Sequence, residues 1–195
     1  MAAERKRRAD AERNVASILD AAVDRLAASP DASMTDIARA AGVGRVTLYG
    51  HFASREHLRT AAMDHLAGQV QSAFDALDLD ALPPGEALEQ LLRTSWRIIE
   101  RHRAFFTAAV HTPGHHHQHH GGFDHHETLL NRIDLVIDRG QADGVFRTDL
   151  DRAWLVAACM GLVHAAVLYA SSGHCTEKAV ESLISTIRAV FLEQP

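Results

Sequence analysis

Residues 35–52 read TDIARAAGVGRVTLYGHF. Apolar residues recur there at helical spacing, pause at Gly42-Val43-Gly44 and resume, the pattern of two short helices joined by a three-residue turn. Thr35 reads as the N-cap of the first helix, its hydroxyl free to accept an orphan backbone N–H. Ile37, Ala38, Ala41, Val43, Leu48 and Phe52 are spaced to pack the two helices together, and the small Ala38 and Ala41 permit close approach. Arg45, Val46, Thr47, Tyr49 and His51 are left outward on the second helix. Arginine can donate two hydrogen bonds to guanine O6 and N7, Thr and Tyr hydroxyls can donate to phosphate, and Val46 and the Thr47 methyl suit a thymine methyl. A plain αα-hairpin with a polar outer face has the same spacing, and spacing alone leaves both readings open.

Working outward, the N-terminal side offers a stripe of Val15, Ile18, Leu19, Ala22, Val23 and Leu26, a helix over about 11–28 that Pro30 ends. Ahead of it stand Arg5, Lys6, Arg7 and Arg8, either a solvated tail or an arm for an anionic partner. Residues 1–60 carry a net charge of +2 and residues 61–195 a net −7, so a basic front sits on an acidic body. On the C-terminal side, Ser54 caps a long helix, LPPGE (82–86) breaks it, and helical periodicity returns to about Val110. Further helices are expected up to Gly140, from Asp151 and from Thr176, with no window of strand-like alternation.

The chain's 195 residues are 47% hydrophobic and 23% charged, which suits a soluble helical protein with a sizeable core. Cys159 and Cys175 make no disulfide framework, and MAAERKRRADAERN is no signal peptide, so a cytoplasmic location is expected. Residues 153–170, AWLVAACMGLVHAAVLYA, lack formal charge and reach the lower length limit for a bilayer span. A helix buried by its own core and by a partner subunit explains them better than a membrane does. No metalloprotease HExxH, nucleophile elbow, phosphate-binding loop or dinucleotide fingerprint occurs, so neither an enzyme nor a cofactor is expected.

The stretch MTDIARAAGVGRVTLYGHFASREHL, with RKRRADAERNVASILDAAVDRLA before it, resembles the DNA-binding end of TetR-type (tetracycline-repressor-like) transcriptional regulators. IDRGQADGVFRTDLD resembles the connection before the penultimate helix in that family. The resemblance implies an all-α protein of about nine helices, with a three-helix head over 1–53 and an effector-binding, dimerising body over 54–195. It implies that Arg45, Val46 and Thr47 face bases, that Tyr49, His51 and Arg55 lie near phosphates, and that Thr35 begins the helix crossing the DNA backbone. The function expected is a ligand-responsive regulator, most simply a repressor on a palindromic operator. Gly44 and Gly50 depart from the family's habit of a Ser cap and a larger side chain, which argues against a base contact from position 50.

For the body, the residues themselves offer Trp96, Ile99, His102, Phe106, Leu130, Asp134, Trp154 and His164 as a mixed apolar and polar effector pocket for an unnamed small molecule. Val163 and Val167, with the stripe Val180, Leu183, Ile184, Ile187 and Phe191, are expected to form a four-helix homodimer interface. Residues 114–126, GHHHQHHGGFDHH, admit two readings. With His111 they form a segment (111–126) in which His115, His116, His119 and His120 are weak metal candidates for a metal-responsive regulator. A glycine-flanked loop lacks obvious preorganisation, so a solvated insertion is preferred and no metal site is assigned.

Overall fold

The computed structural model describes residues 2–111 and 125–192, so the histidine-rich segment 112–124 lies outside the described residues. Nine α-helices occur among the described residues, no strand does, and one antiparallel bridge joins Phe146 to Leu192. The chain divides into two compact units, residues 1–69 with 102–123 and residues 70–101 with 124–195.

The first unit holds α1 (Ala2–Ala28), α2 (Met34–Ala40), α3 (Arg45–His51), the first two-thirds of α4 (Arg55–Asp75) and α6 (Arg103–His111). It is larger than the 1–53 head expected, because α4 continues in it to Gln69 and α6 packs along α1. Helix α1 starts at Ala2 rather than near residue 11, so the basic run falls in its first turns. Ile18, Leu19, Ala22 and Val23 on α1, Ile37 and Ala38 on α2, Leu48 on α3, and Leu58, Ala62 and Leu66 on α4 are buried in this unit. The cap of α2 is Ser33, not Thr35. Ser33 Oγ accepts from Asp36 N at 3.1 Å while Ser33 N donates to Asp36 Oδ2 at 3.3 Å, a reciprocal capping box that leaves Thr35 exposed in the first turn. Helix α2 ends where Gly42 takes φ +69°, a left-handed turn that a Cβ would strain.

The second unit contains the end of α4, α5 (Pro84–Arg101), α7 (His125–Ala142), α8 (Arg152–Ser171) and α9 (Thr176–Phe191). Helix α7 packs on α5 and α8, and α9 on α8 and α5. The α7–α8 connection is closed by a tight contact. A Cβ on Gly140 would lie 2.0 Å from the Phe146 ring, and Phe146 is itself buried. Asp151 caps α8 by accepting from Ala153 N at 2.8 Å and Trp154 N at 3.3 Å. Helix α8 is long and apolar enough to cross a membrane, yet Leu155, Cys159, Met160, Val163, Ala166, Val167 and Ala170 are buried inside this unit. Burial pushes the Cys159 thiol up to about 12, which keeps it protonated and inert.

Candidate nucleic-acid interface

Helix α3 spans seven residues, and one side chain anchors it. Leu48 is fully buried, with Phe52 buried just past the helix end. That anchor turns Arg45, Val46, Thr47, Tyr49 and His51 to solvent. Val46 is 87% exposed, an unusual position for a branched apolar residue that has no packing role there. The Arg45 guanidinium carbon sits 5.4 Å above the Tyr49 ring, so the two most extended side chains of the helix share one side of it. Arg39 on α2 is exposed and pairs with Asp36 at 3.2 Å. The Asp36 carboxyl lies below its ordinary range, first because the Ser33 side chain hydrogen-bonds it, then through the Ser33 backbone. Glu56, at the start of α4, is lowered by its hydrogen bond from Arg59.

Arg55 has a different place from the phosphate contact expected of it. Its Nε donates to the Ala32 carbonyl at 3.1 Å, and its Nη2 donates to the Pro30 carbonyl. The guanidinium therefore closes the loop between α1 and α2 onto the start of α4 and orients the two helices from behind. Ser54 Oγ accepts from His57 N at 3.1 Å, as its capping role requires.

The eight residues nominated for an effector pocket do not share a setting. His102 and Phe106 belong to the first unit. His102 is fully buried there, its Nε2 3.1 Å from Gln69 Oε1 and its Nδ1 3.5 Å from Asp24 Oδ1. In the second unit, Trp154 is 62% exposed, while Leu130 and His164 are half-buried. Asp134 accepts from Arg152 Nε at 3.1 Å. Trp96 and Ile99 are buried one turn apart on α5. Trp96 Nε1 has no hydrogen-bond partner among the described residues. A cavity of about 390 Å³ lies elsewhere in this unit, between α5, α9 and Phe146, and none of the eight lines it.

The seven residues nominated for the dimer surface require a correction. Val163, Val167, Val180, Leu183, Ile184, Ile187 and Phe191 are all buried inside the chain's own core. An apolar stripe reports burial without naming the partner, and here the partner is the same chain. What α8 and α9 leave outward is mixed, with Trp154, Ala157, Gly161, Ala165 and Leu168 on α8 and Glu181, Ser182, Ser185, Thr186, Arg188, Ala189 and Val190 on α9. The metal candidates His115, His116, His119 and His120 lie outside the described residues.

Two family descriptions match the chain. Residues 18–62 fit the bacterial regulatory proteins of the tetR family, and residues 84–184 fit the tetracyclin repressor-like C-terminal domain. The HTH-type transcriptional regulator NfxB of Pseudomonas aeruginosa is 30% identical over 156 residues, 80% of either chain. The HTH-type transcriptional repressor LfrR of Mycolicibacterium smegmatis is 37% identical over 83 residues, 43% of this chain and 44% of LfrR. The fold of LfrR in complex with proflavine aligns with a TM-score of 0.60 at 22% identity, covering 94% of this chain and 99% of that one. The ketosteroid transcriptional regulator KstR2 of Mycobacterium tuberculosis aligns with a TM-score of 0.71 at 18% identity, covering 91% and 94%. With a helix-turn-helix whose second helix bares its Arg, Thr and Tyr, and with both halves matched, the chain belongs to the TetR family and is a DNA-binding transcriptional regulator, not an enzyme.

Proposed function

We propose that the protein is a repressor that binds a palindromic operator as a homodimer and leaves it when a small molecule occupies the second unit. The observation that carries the reading is the bare row Arg45, Val46, Thr47 and Tyr49 over the buried Leu48. Arg45 supplies a bidentate donor to guanine, Val46 and Thr47 supply methyl contacts, and the Tyr49 hydroxyl supplies a phosphate contact. Two copies related by a two-fold axis put two such helices about one DNA turn apart. In support of the dimer, α8 offers Ala157, Gly161 and Ala165 on one outward face, so a second copy of the helix can approach closely. The protein works in the cytoplasm, where operator DNA is.

The effector site is proposed around Trp96. A buried indole N–H without a protein acceptor is unfavourable by about 1–3 kcal/mol, and a ligand carrying an acceptor would relieve that. Footprinting the DNA upstream of the protein's own gene tests the reading. The expected result is a protected palindrome with half-sites about 10 base pairs apart, released when effector binds. Proflavine, the ligand in the LfrR structure, is the first probe, read by Trp96 fluorescence in a Trp154→Phe background. Uniform protection without sequence preference would overturn the operator reading.

A further inference from the structure

The cavity between α5, α9 and the α7–α8 connection lies wholly inside the second unit, and its volume of about 390 Å³ falls in the range of small-molecule sites. Leu88 and Leu92 of α5, Ile184 and Ile187 of α9 and Phe146 form its buried wall. The remaining lining residues, Gly85, Glu86, Val145 and Arg188 among them, are partly or fully exposed, so the cavity runs from the core to the surface. Phe146 is the side chain that could fill this space by turning, and it is held on two sides. Its ring lies where a Cβ on Gly140 would be 2.0 Å away, and its backbone is bridged to Leu192 at the end of α9. Arg147 N reinforces the bridge by donating to Phe191 O at 3.0 Å. Native interiors close most voids, and here a wedged ring keeps one open.

The buried wall is aliphatic and aromatic, so it offers water few partners and an apolar body many. Charge on the rim is unevenly matched. Glu89 Oε1 accepts from Arg93 Nε at 3.0 Å, and Glu89 Oε2 accepts from Arg188. Arg93 also donates to Glu181 Oε1 at 2.7 Å, so these two arginines and two glutamates balance one another. Glu86, three residues before Glu89 on α5, is exposed and has no hydrogen bond or ion pair among the described residues. A carboxylate suits the first turn of any helix; what makes Glu86 a ligand group is its place on the cavity rim. We propose that the cavity binds an amphiphilic amine, its hydrocarbon body on the buried wall and its ammonium at Glu86. An amphiphilic acid suits the rim less well, because Arg188, the cation there, is already held by Glu89. This site is separate from the effector site proposed at Trp96, which lines no part of the cavity, and stands or falls independently of it.

Decylamine, decanol and decanoate share a chain and differ in head-group charge, so calorimetric titration of each into the full-length protein tests the site. Decylamine should bind with a stoichiometry of one per chain, about two- to fivefold tighter than decanol, the range of an exposed ion pair. Decanoate should bind more weakly than decanol. Glu86→Gln should bring decylamine to the level of decanol and leave decanol unchanged. Val145→Trp, at a half-buried rim position, should abolish binding of all three. Gly85→Leu should do the same from α5, where a Cβ meets only Leu192 Cδ2 at 3.8 Å. Saturating decylamine should raise the melting temperature of the wild type and leave that of the two filled variants where it was. Glu86 is exposed, so Glu86→Gln keeps the test decisive even where a filling variant fails to fold. Trp96→Phe should bind decylamine as the wild type does; loss of binding there places the amine at Trp96 and overturns the cavity site. Wild-type binding in folded Val145→Trp and Gly85→Leu also overturns it, as does the absence of saturable binding by any of the three probes. A preference for decanoate, or a Glu86→Gln variant that still prefers decylamine to decanol, overturns the assignment of an amine.

Discussion

At the scale of single residues, the arginines flanking α3 have opposite jobs despite their proximity. Arg45 is exposed, its guanidinium over the Tyr49 ring, whereas Arg55 is held by the Pro30 and Ala32 carbonyls. Arg45→Ala should therefore lose about 1–3 kcal/mol on operator DNA and relax base preference at one position per half-site. Arg55→Ala should loosen the α1–α2 loop, lower the melting temperature, and weaken all sequences alike. Gel-shift titrations on operator and scrambled duplexes, beside a thermal melt, separate the two; a sequence-selective defect in Arg55→Ala would restore it to the DNA surface. Gly140 is the residue least free to change in the second unit. A methyl group there would meet the Phe146 ring at 2.0 Å, and a buried ring has nowhere to retreat. Gly140→Ala should destabilise by about 1–3 kcal/mol or more, read as a lower urea midpoint at unchanged slope. An unshifted midpoint would mean that the α7–α8 connection can re-pack.

At the scale of elements, some helix starts were legible from a polar side chain and one was not: Thr176, which reads as a cap, is the first residue of α9, behind Cys175 and with no side-chain cap. Ser54 and Asp151 cap as their positions suggest. Thr35 and Ser33 compete within two residues, and the decision rests on Asp36, which stands three after Ser33 and completes a reciprocal pair. Ser33→Ala should lower stability by about 1 kcal/mol while Thr35→Ala leaves it nearly unchanged, by urea unfolding of the two variants. The Asp36 half of the box has a pH signature. Its carboxyl is depressed below 3.8, so its contribution is intact above that pH and is lost as the pH falls further. Acid should erase the difference between wild type and Asp36→Asn; a difference that persists in acid would remove the carboxylate from the account. Stripes on α9 were equally legible as stripes, but periodicity gives a buried face and not the identity of what buries it. Outward small residues such as Ser182 and Ala189 carry almost no apolar signal, so that face could be found only in three dimensions. The contacts of Gln69 on α4, whose Nε2 donates to Asp20 of α1 at 3.0 Å while its Oε1 lies 3.1 Å from His102 Nε2, were hidden for another reason. The three residues lie up to 82 positions apart, joined only once α1, α4 and α6 have packed.

At the scale of the whole molecule, the burial of the α9 stripe changes how the dimer must be tested. Leu183→Glu places an unpaired charge in the protomer's own core and should prevent folding, by several kcal/mol, rather than yield a folded monomer. Ala165→Glu puts the charge on the outward face of α8 and should leave the helical circular dichroism intact while sedimentation shows a monomer and operator affinity collapses. A dimeric Ala165→Glu would move the two-fold axis to another face. How tightly such a dimer grips its site is a separate property from which site it chooses, and α3 keeps the two apart. Base-facing candidates occupy positions 45–47, while the weak points of the helix are its uncapped start at Gly44 and its bare Gly50. Both glycines have room: a Cβ at 44 meets only Thr47 Oγ1 at 3.7 Å, and one at 50 meets nothing within 4 Å. Gly44→Ser should supply the missing cap and strengthen the grip while leaving the side chains at 45–47 as they are, read as tighter binding to operator and scrambled duplexes alike. The regulator thus has its sensitivity threshold exposed to selection, adjustable in small steps while its list of target genes stays the same.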